Sequence, residues 1–368
     1  MSFIRAAAPA RASRLNQLAT SARRYASTEP GAQKSSSSFP LIIGGAGIVG
    51  LAGYIYLNGL GLGTKSTAAP AAGAGKAYTP ATNTTSPLDP SKFIDLPLKS
   101  IEPYNHNCAI YSFALPDNQA AQLPVASCVY LEASENHQNA LRDEKGKPVH
   151  RPYTPISPSD YPGEVKFLIK RYEGGKMSQY IHSLKPGEPL AIKGPLPKIK
   201  YEINKWEEVG MIAGGSGITP MYQIVNYALS DPSNKTKFTL IFANVEERDI
   251  LLKDEFDALK KKHPDSFNVV YTLDKPSEGW KGYKGYVNKD MLMQHIPPPN
   301  LGEKAKVFIC GAYTRVVVAF GASSCAIGCV GPPGQVSAIA GKKDGMKQGP
   351  VGGILKELGY TEDQVFKF

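Results

Sequence analysis

Cysteine is scarce in this sequence, and its spacing excludes the uses that most often define a chain. Five occur in 368 residues, at 108, 128, 310, 325 and 329. An odd, scattered set in a long chain is not a disulfide framework. No C-x2-C pair occurs, and the C-x4-C-x2-C spacing of plant-type iron–sulfur sites is also missing. Cys325 and Cys329 have no histidine close by to complete a zinc site, so no metal centre is expected. Acidic residues are missing from the first 25 positions, which hold Arg5, Arg11, Arg14, Arg23 and Arg24. That piece carries +5 of the formal +10, leaving 10 − 5 = +5 for everything after it. So mild an excess gives no reason to expect a nucleic-acid partner.

What is present describes a globular chain of about two domains, 42% hydrophobic and 20% charged, with 36 Gly and 30 Pro. Residues 1–27 are rich in Arg, Ala and Ser. Arg5, Arg11 and Arg14 separate from Leu15 and Leu18 on a helix, as in a mitochondrial presequence. Lys34 and Lys65 bracket 30 uncharged residues, and 39–60 form a 22-residue mostly apolar stretch. At 1.5 Å per residue this spans about 33 Å, enough for a transmembrane anchor. Its G-x-G-x-x-G (45–50) mimics a dinucleotide fingerprint but lacks the acid about 20 residues on, since the next acid is Asp89. Residues 61–90, rich in Ala, Pro and Thr, read as a flexible linker.

From residue 91 to 204 short alternating runs separated by turn residues predict a small antiparallel β-barrel. Two motifs in it carry chemistry. RPYTPIS (151–157) sets an arginine, an aromatic ring and a hydroxyl along a strand, suited to a phosphate and the face and edge of a planar ring. GGKMSQYI (174–181) is a glycine turn entering a helix, where free N–H groups suit a pyrophosphate. From 205 to 368 strands alternate with helices, which predicts a doubly wound parallel sheet. After its first strand, AGGSGITPM (213–221) forms a nucleotide-type glycine turn, with Pro220 in place of the usual third glycine.

RPYTPIS followed some 20 residues later by GGKMS resembles the flavin domain of the ferredoxin reductase-like family, in its NADH–cytochrome b5 reductase branch. The resemblance covers 91–368 apart from one segment. It implies an antiparallel FAD-binding β-barrel followed by a doubly wound parallel-sheet NADH-binding domain, behind an N-terminal transmembrane helix. Arg151 and Pro152 would then border the FAD phosphate, Tyr153 pack on the isoalloxazine, and Thr154 bond near its reactive N5. Leu168, Lys170 and Tyr172 match positions lining the flavin and nucleotide. Gly175, Lys176, Met177 and Ser178 match the pyrophosphate turn. Gly214, Gly215, Ser216 and Gly217 would approach NADH, while Thr219 and Pro220 contact the flavin side. Asp274, at a strand end, would disfavour the 2′-phosphate of NADPH by like-charge repulsion. Thr154, Lys170 and Cys310 are the expected catalytic set, Cys310 beside the nicotinamide.

The family follows that cysteine with Gly-Pro-Pro. Here Cys310 and Gly311 precede 20 further residues, 312–331, before Pro332, Pro333 and Gly334. Their removal restores the motif in frame, so they read as a translated intron; a genuine loop insertion is the alternative. The six histidines include no haem-binding His-Pro-Gly-Gly, so the acceptor implied is a separate cytochrome b5-type haem protein. Other acceptors, or a membrane-tethered protein inactivated by the insert, are the competing readings. The resemblance also implies the mitochondrial outer membrane, with a processed form in the intermembrane space.

Overall fold

The computed structural model describes residues 85–137, 141–311, 334–345 and 347–368. The expected presequence 1–27, the span 39–60, most of the linker and the 312–331 insert lie outside the described residues. Among the described residues, no helix is long and apolar enough to cross a membrane.

The first domain contains β1 (Ile94–Pro103), β2 (Cys108–Ala114), β3 (Ser127–Ala133), β4 (His150–Tyr153), β5 (Glu164–Lys170), helix α1 (Lys176–Ser183) and β6 (Pro189–Pro197). The strands form one antiparallel sheet in the order β4-β3-β6-β1-β2-β5. β1 pairs with β6 through residues 94–97 and with β2 from Leu98 onward, so it bends the sheet into a curl. The expected barrel is therefore not ladder-closed, since β4 and β5 remain its edges. The Ile156 N–H bridges them just past β4, donating to the Lys166 carbonyl at 2.9 Å. Pro152 and Pro155 lack N–H donors, which prevents a regular ladder there. Phe113, Val129, Leu131, Phe167 and Ile192 fill the interior, and α1 buries Met177, Tyr180 and Ile181 on one stripe. This domain starts earlier than the composition break suggests. Leu88 is only 7% exposed, and the Ser86 hydroxyl donates to the Ala121 carbonyl at 2.7 Å.

The second domain contains β7 (Glu208–Gly214), α2 (Ile218–Ser230), β8 (Lys237–Asn244), α3 (Lys253–Lys262), β9 (Phe267–Leu273), β10 (Tyr283–Lys284), α4 (Lys289–His295), β11 (Ala305–Gly311), α5 (Gln335–Ala340), α6 (Gly353–Glu357) and β12 (Val365–Lys367). All strands are parallel, in the order β10-β9-β8-β7-β11-β12. The chain winds one way from β7 to β10 and the other way through β11 and β12. The switch point is the β7/β11 pair, where Gly214 lies opposite Gly311. Doubly wound sheets bind ligands outside the carboxyl ends of the strands at such a point. Cys108, Ile110, Ala126 and Leu168 of the first domain share one apolar cluster with Met211, Ile218 and Phe242 of the second. The two domains thus meet along a continuous buried seam.

Candidate active site

The glycine turn after β7 is shaped by backbone demands that only glycine meets. Gly215 has φ +51°, the left-handed region, and a Cβ there would meet nothing within 4 Å. That open face suits close approach of a ligand. Gly217 packs so tightly against β11 that a Cβ would lie 2.7 Å from both the carbonyl carbon and oxygen of Cys310. Gly214 packs on Gln335, whose amide oxygen a Cβ would overlap. Thr219 and Pro220 are buried in the first turn of α2, and the Thr219 hydroxyl donates to the Ser216 carbonyl at 3.4 Å.

Across the seam, the first domain presents its own motifs. Arg151 is exposed beside Pro152, and its Nη1 donates to the His150 carbonyl at 2.8 Å. Tyr153 is half-buried against the first core; burial and the neighbouring Tyr172 hold its phenol well above the usual range. The Thr154 hydroxyl makes no hydrogen bond within the described residues, which leaves it available. Gly175 begins α1 without a side-chain cap, so the first N–H groups of the helix are unclaimed. Ser178 holds that turn: its Oγ accepts from the Tyr172 N–H at 3.1 Å and donates to the Gly175 carbonyl at 2.9 Å. Lys176 and buried Met177 form the same turn. Tyr172 then crosses the seam, its hydroxyl 2.7 Å from Ser216 Oγ. The flavin-type strand and the nucleotide-type turn are therefore joined by one hydrogen bond.

The remaining expected residues lie at distinguishable places. Leu168 is buried in the shared apolar cluster, and Lys170 ends β5 with its ammonium bonded to Asp249 at 2.9 Å. Cys310 sits at the switch point, and burial pushes its thiol up to about 12 against the pull of Lys343. Such a thiol is neutral at physiological pH and is no nucleophile. Asp274 follows β9, half-buried; burial raises its carboxyl, with Lys275 acting the other way. Its N–H donates to the Asn244 carbonyl at 3.0 Å, fixing it beside the end of β8.

Sequence reasoning missed Asp249, His106, Tyr104 and Gln335. The first three are ordinary turn residues within no motif, and only the packed seam brings them to Lys170 and α3. Gln335 follows the suspected insert, yet its side chain lies against both Gly214 and Gly311. A signal for it was present in the Cys-Gly-Pro-Pro-Gly-Gln order that deleting 312–331 restores.

The residues present fit a flavin dinucleotide and a nicotinamide dinucleotide: an uncapped helix start, an open left-handed glycine and an unpaired threonine converge on one seam. Comparison with known proteins agrees. Residues 95–201 match an oxidoreductase FAD-binding domain and 211–317 an oxidoreductase NAD-binding domain. NADH-cytochrome b5 reductase 2 of Mycosarcoma maydis is 42% identical over 360 residues, covering 97% of this chain and 95% of that protein. The protein of the same name from Phaeosphaeria nodorum is 41% identical over 362 residues, covering 96% and 97%. Among solved structures, the cytochrome b5 reductase domain of Ulva prolifera nitrate reductase is 26% identical with a TM-score of 0.61, covering 77% of this chain and all of that one. Two matched domains in the right order, with relatives above 40% identity along nearly the whole length, establish that the chain belongs to the NADH–cytochrome b5 reductase family of FAD- and NAD-binding oxidoreductases.

Proposed function

We propose that this enzyme carries electrons from NADH through FAD to a cytochrome b5-type haem protein. The observation that carries the reading is the 2.7 Å contact between Tyr172 and Ser216, which joins the flavin strand to the nucleotide turn. Bound FAD would supply the conversion from a two-electron hydride donor to single-electron release that a one-electron haem acceptor requires. The protein's part is binding and alignment. Arg151 offers a guanidinium to phosphate, and the start of α1 offers N–H groups and its positive dipole end. Tyr153 supplies an apolar ring wall, and Thr154 a hydroxyl at the edge of a bound ring. Gly214, Gly215 and Ser216 let a second nucleotide approach the backbone of the turn, with Thr219 and Pro220 closing the flavin side. Cys310, neutral at the switch point, shapes the nicotinamide end without reacting. The carboxylate of Asp274 favours NADH over NADPH by repelling a 2′-phosphate.

The composition of residues 1–90 supports a mitochondrial presequence and a membrane anchor at 39–60, and the family resemblance implies an outer-membrane location with a processed intermembrane-space form. For 312–331, contact of Gln335 with Gly311 supports an intron or a loop whose ends return to one point. Sequencing the mature transcript decides between them. Anaerobic mixing of NADH with residues 80–368, with and without 312–331, tests the whole reading. The expected result is flavin bleaching followed by reduction of added cytochrome b5. A flavin spectrum that never bleaches in either form refutes it.

A further inference from the structure

The turn Glu247–Asp249 belongs to no nucleotide motif, yet it reaches across the seam into the flavin domain. Asp249 Oδ1 accepts from Lys170 Nζ at 2.9 Å and stands 3.6 Å from His106 Nε2. Both partners of the main pair are withdrawn from water, with side chains 9% exposed for Asp249 and 14% for Lys170. The carboxylate is not free to swing away. Its Oδ2 accepts from the Glu246 N–H at 3.2 Å, and the Glu246 side chain accepts from the Asp249 N–H in return, a reciprocal capping box. Arg248 Nε holds that Glu246 carboxylate at 2.8 Å. Two further bonds cross at the same place. Asn105 Nδ2 donates to the Arg248 carbonyl at 2.9 Å, and the Leu252 N–H donates to the Tyr104 hydroxyl at 2.8 Å.

Lys170 and Tyr172 are two residues apart at the end of β5, so one short stretch of chain makes both charged and neutral contacts with the second domain. Tyr172 bonds the glycine turn through Ser216, and Lys170 bonds the turn after β8 through Asp249. These two points follow the carboxyl ends of the adjacent strands β7 and β8, on the β8 side of the β7/β11 switch point. A buried charge-assisted bond is short and directional, and removing one partner leaves an uncompensated charge. We propose that Asp249 is a positioning residue for hydride transfer: by fixing Lys170 and the 104–108 turn, it sets the register between the flavin domain and the nucleotide crevice. The inference rests on the proposed function and deepens it by assigning a residue outside its motifs.

The test compares Asp249→Ala, Asp249→Glu, Lys170→Ala and the double variant in the FAD-loaded full chain. At saturating NADH, Asp249→Ala is expected to slow flavin reduction by about ten- to a hundredfold, the scale of an ångström-level misplacement. Affinity for ADP-ribose, which lacks the nicotinamide, should change by less than about threefold, because the phosphate contacts lie elsewhere. Asp249→Glu should recover part of the rate, and the double variant should be no slower than the slower single one. Amide hydrogen exchange of residues 104–108 should accelerate in Asp249→Ala. A variant that reduces flavin at the wild-type rate, or fully additive losses in the double variant, overturns the proposal. So does a lowered melting temperature with unchanged rate and affinity, which marks a merely structural ion pair. A wild type that NADH fails to reduce refutes the functional reading instead. The exchange measurement then decides the latch alone: unchanged protection of 104–108 in Asp249→Ala overturns it, and faster exchange upholds it.

Discussion

Substitution of Gly217 by alanine probes the tightest joint of the site. The added Cβ would lie 2.7 Å from the Cys310 carbonyl carbon and oxygen and 2.8 Å from the Gly311 nitrogen, whereas ordinary contact begins near 3.4 Å. Relief therefore needs 3.4 − 2.7 = 0.7 Å of movement. All three atoms are backbone at the end of β11, where Cys310 and Gly311 pair with Ala213 and Gly214 of β7, so no flexible side chain can yield. The shift must be taken by the glycine turn, by the end of β11, or by both. Overpacking of this kind costs about 1–3 kcal/mol. For a unit of this size that lowers Tm by roughly 2–4 °C per kcal/mol. The functional cost should be larger in proportion, because turn and strand end are the walls of the proposed nicotinamide site, and an ångström of misplacement costs about a hundredfold. The expected outcome is a ten- to hundredfold loss of kcat/KM for NADH (about 1.4–2.7 kcal/mol) with FAD content retained. The assay is stopped-flow reduction at varied NADH beside a thermal melt. Wild-type kcat/KM together with an unchanged Tm would refute the argument that this close approach shapes the site. Gly215→Asn isolates the conformational part: no atom lies within 4 Å of the added Cβ, so any fall in Tm reports the strain of a side chain at φ +51° and should be smaller than that of Gly217→Ala.

Ser178→Ala should lower stability by about 1–3 kcal/mol, since the Tyr172 N–H loses its acceptor, and should weaken FAD retention on gel filtration; full retention with unchanged Tm contradicts the assignment. Because burial pushes the Cys310 thiol up to about 12, its thiolate at pH 7.5 is on the order of a thousandfold rarer than that of an ordinary cysteine. Cys310 is partly exposed, so iodoacetamide should reach it but label it far more slowly than glutathione, and labelling at the glutathione rate by mass spectrometry would overturn that picture. Burial opposes the charged form of Asp249, but the hydrogen bond and charge of Lys170 outweigh it and hold the carboxyl below its ordinary 3.8. A depressed folded-state pKa contributes stability that is complete above the unfolded value and lost as pH falls through the folded one. Unfolding midpoints should thus be insensitive to this pair from pH 8 to about 4 and fall below that. If the difference between wild type and Asp249→Asn already disappears between pH 7 and 5, the carboxylate is not the group responsible.

Much of the molecule was readable in one dimension because its signals are local. The β7–α2 unit, β8, α3, β9 and β11 carry long apolar or amphipathic runs, and they supply the alternation of strands and helices expected from 205 to 368. The short elements were not readable. β10 has two residues and β12 three, too few for any period, and α5 and α6 show no repeat. The barrel was legible as a set of strands but not in its closure, which depends on where two prolines deny donors to an edge. The same division runs through the site. Arg151 to Thr154, Gly175 to Ser178 and Gly214 to Gly217 announced themselves because phosphate and ring binding need particular residue types at adjacent positions. Asp249, His106 and Tyr104 had no such signal, because their partners are distant in sequence. Composition and motif alone therefore determined the two-domain class and its dinucleotides, and they nominated the residues proposed to bind them. Only the tertiary structure decided that Lys170 is neutralised by Asp249, that Gly217 is pressed against Cys310, and that Gln335 returns beside Gly311. Those facts arise from packing two sheets along one buried seam, where a contact is set by distance in space and leaves no period in the chain.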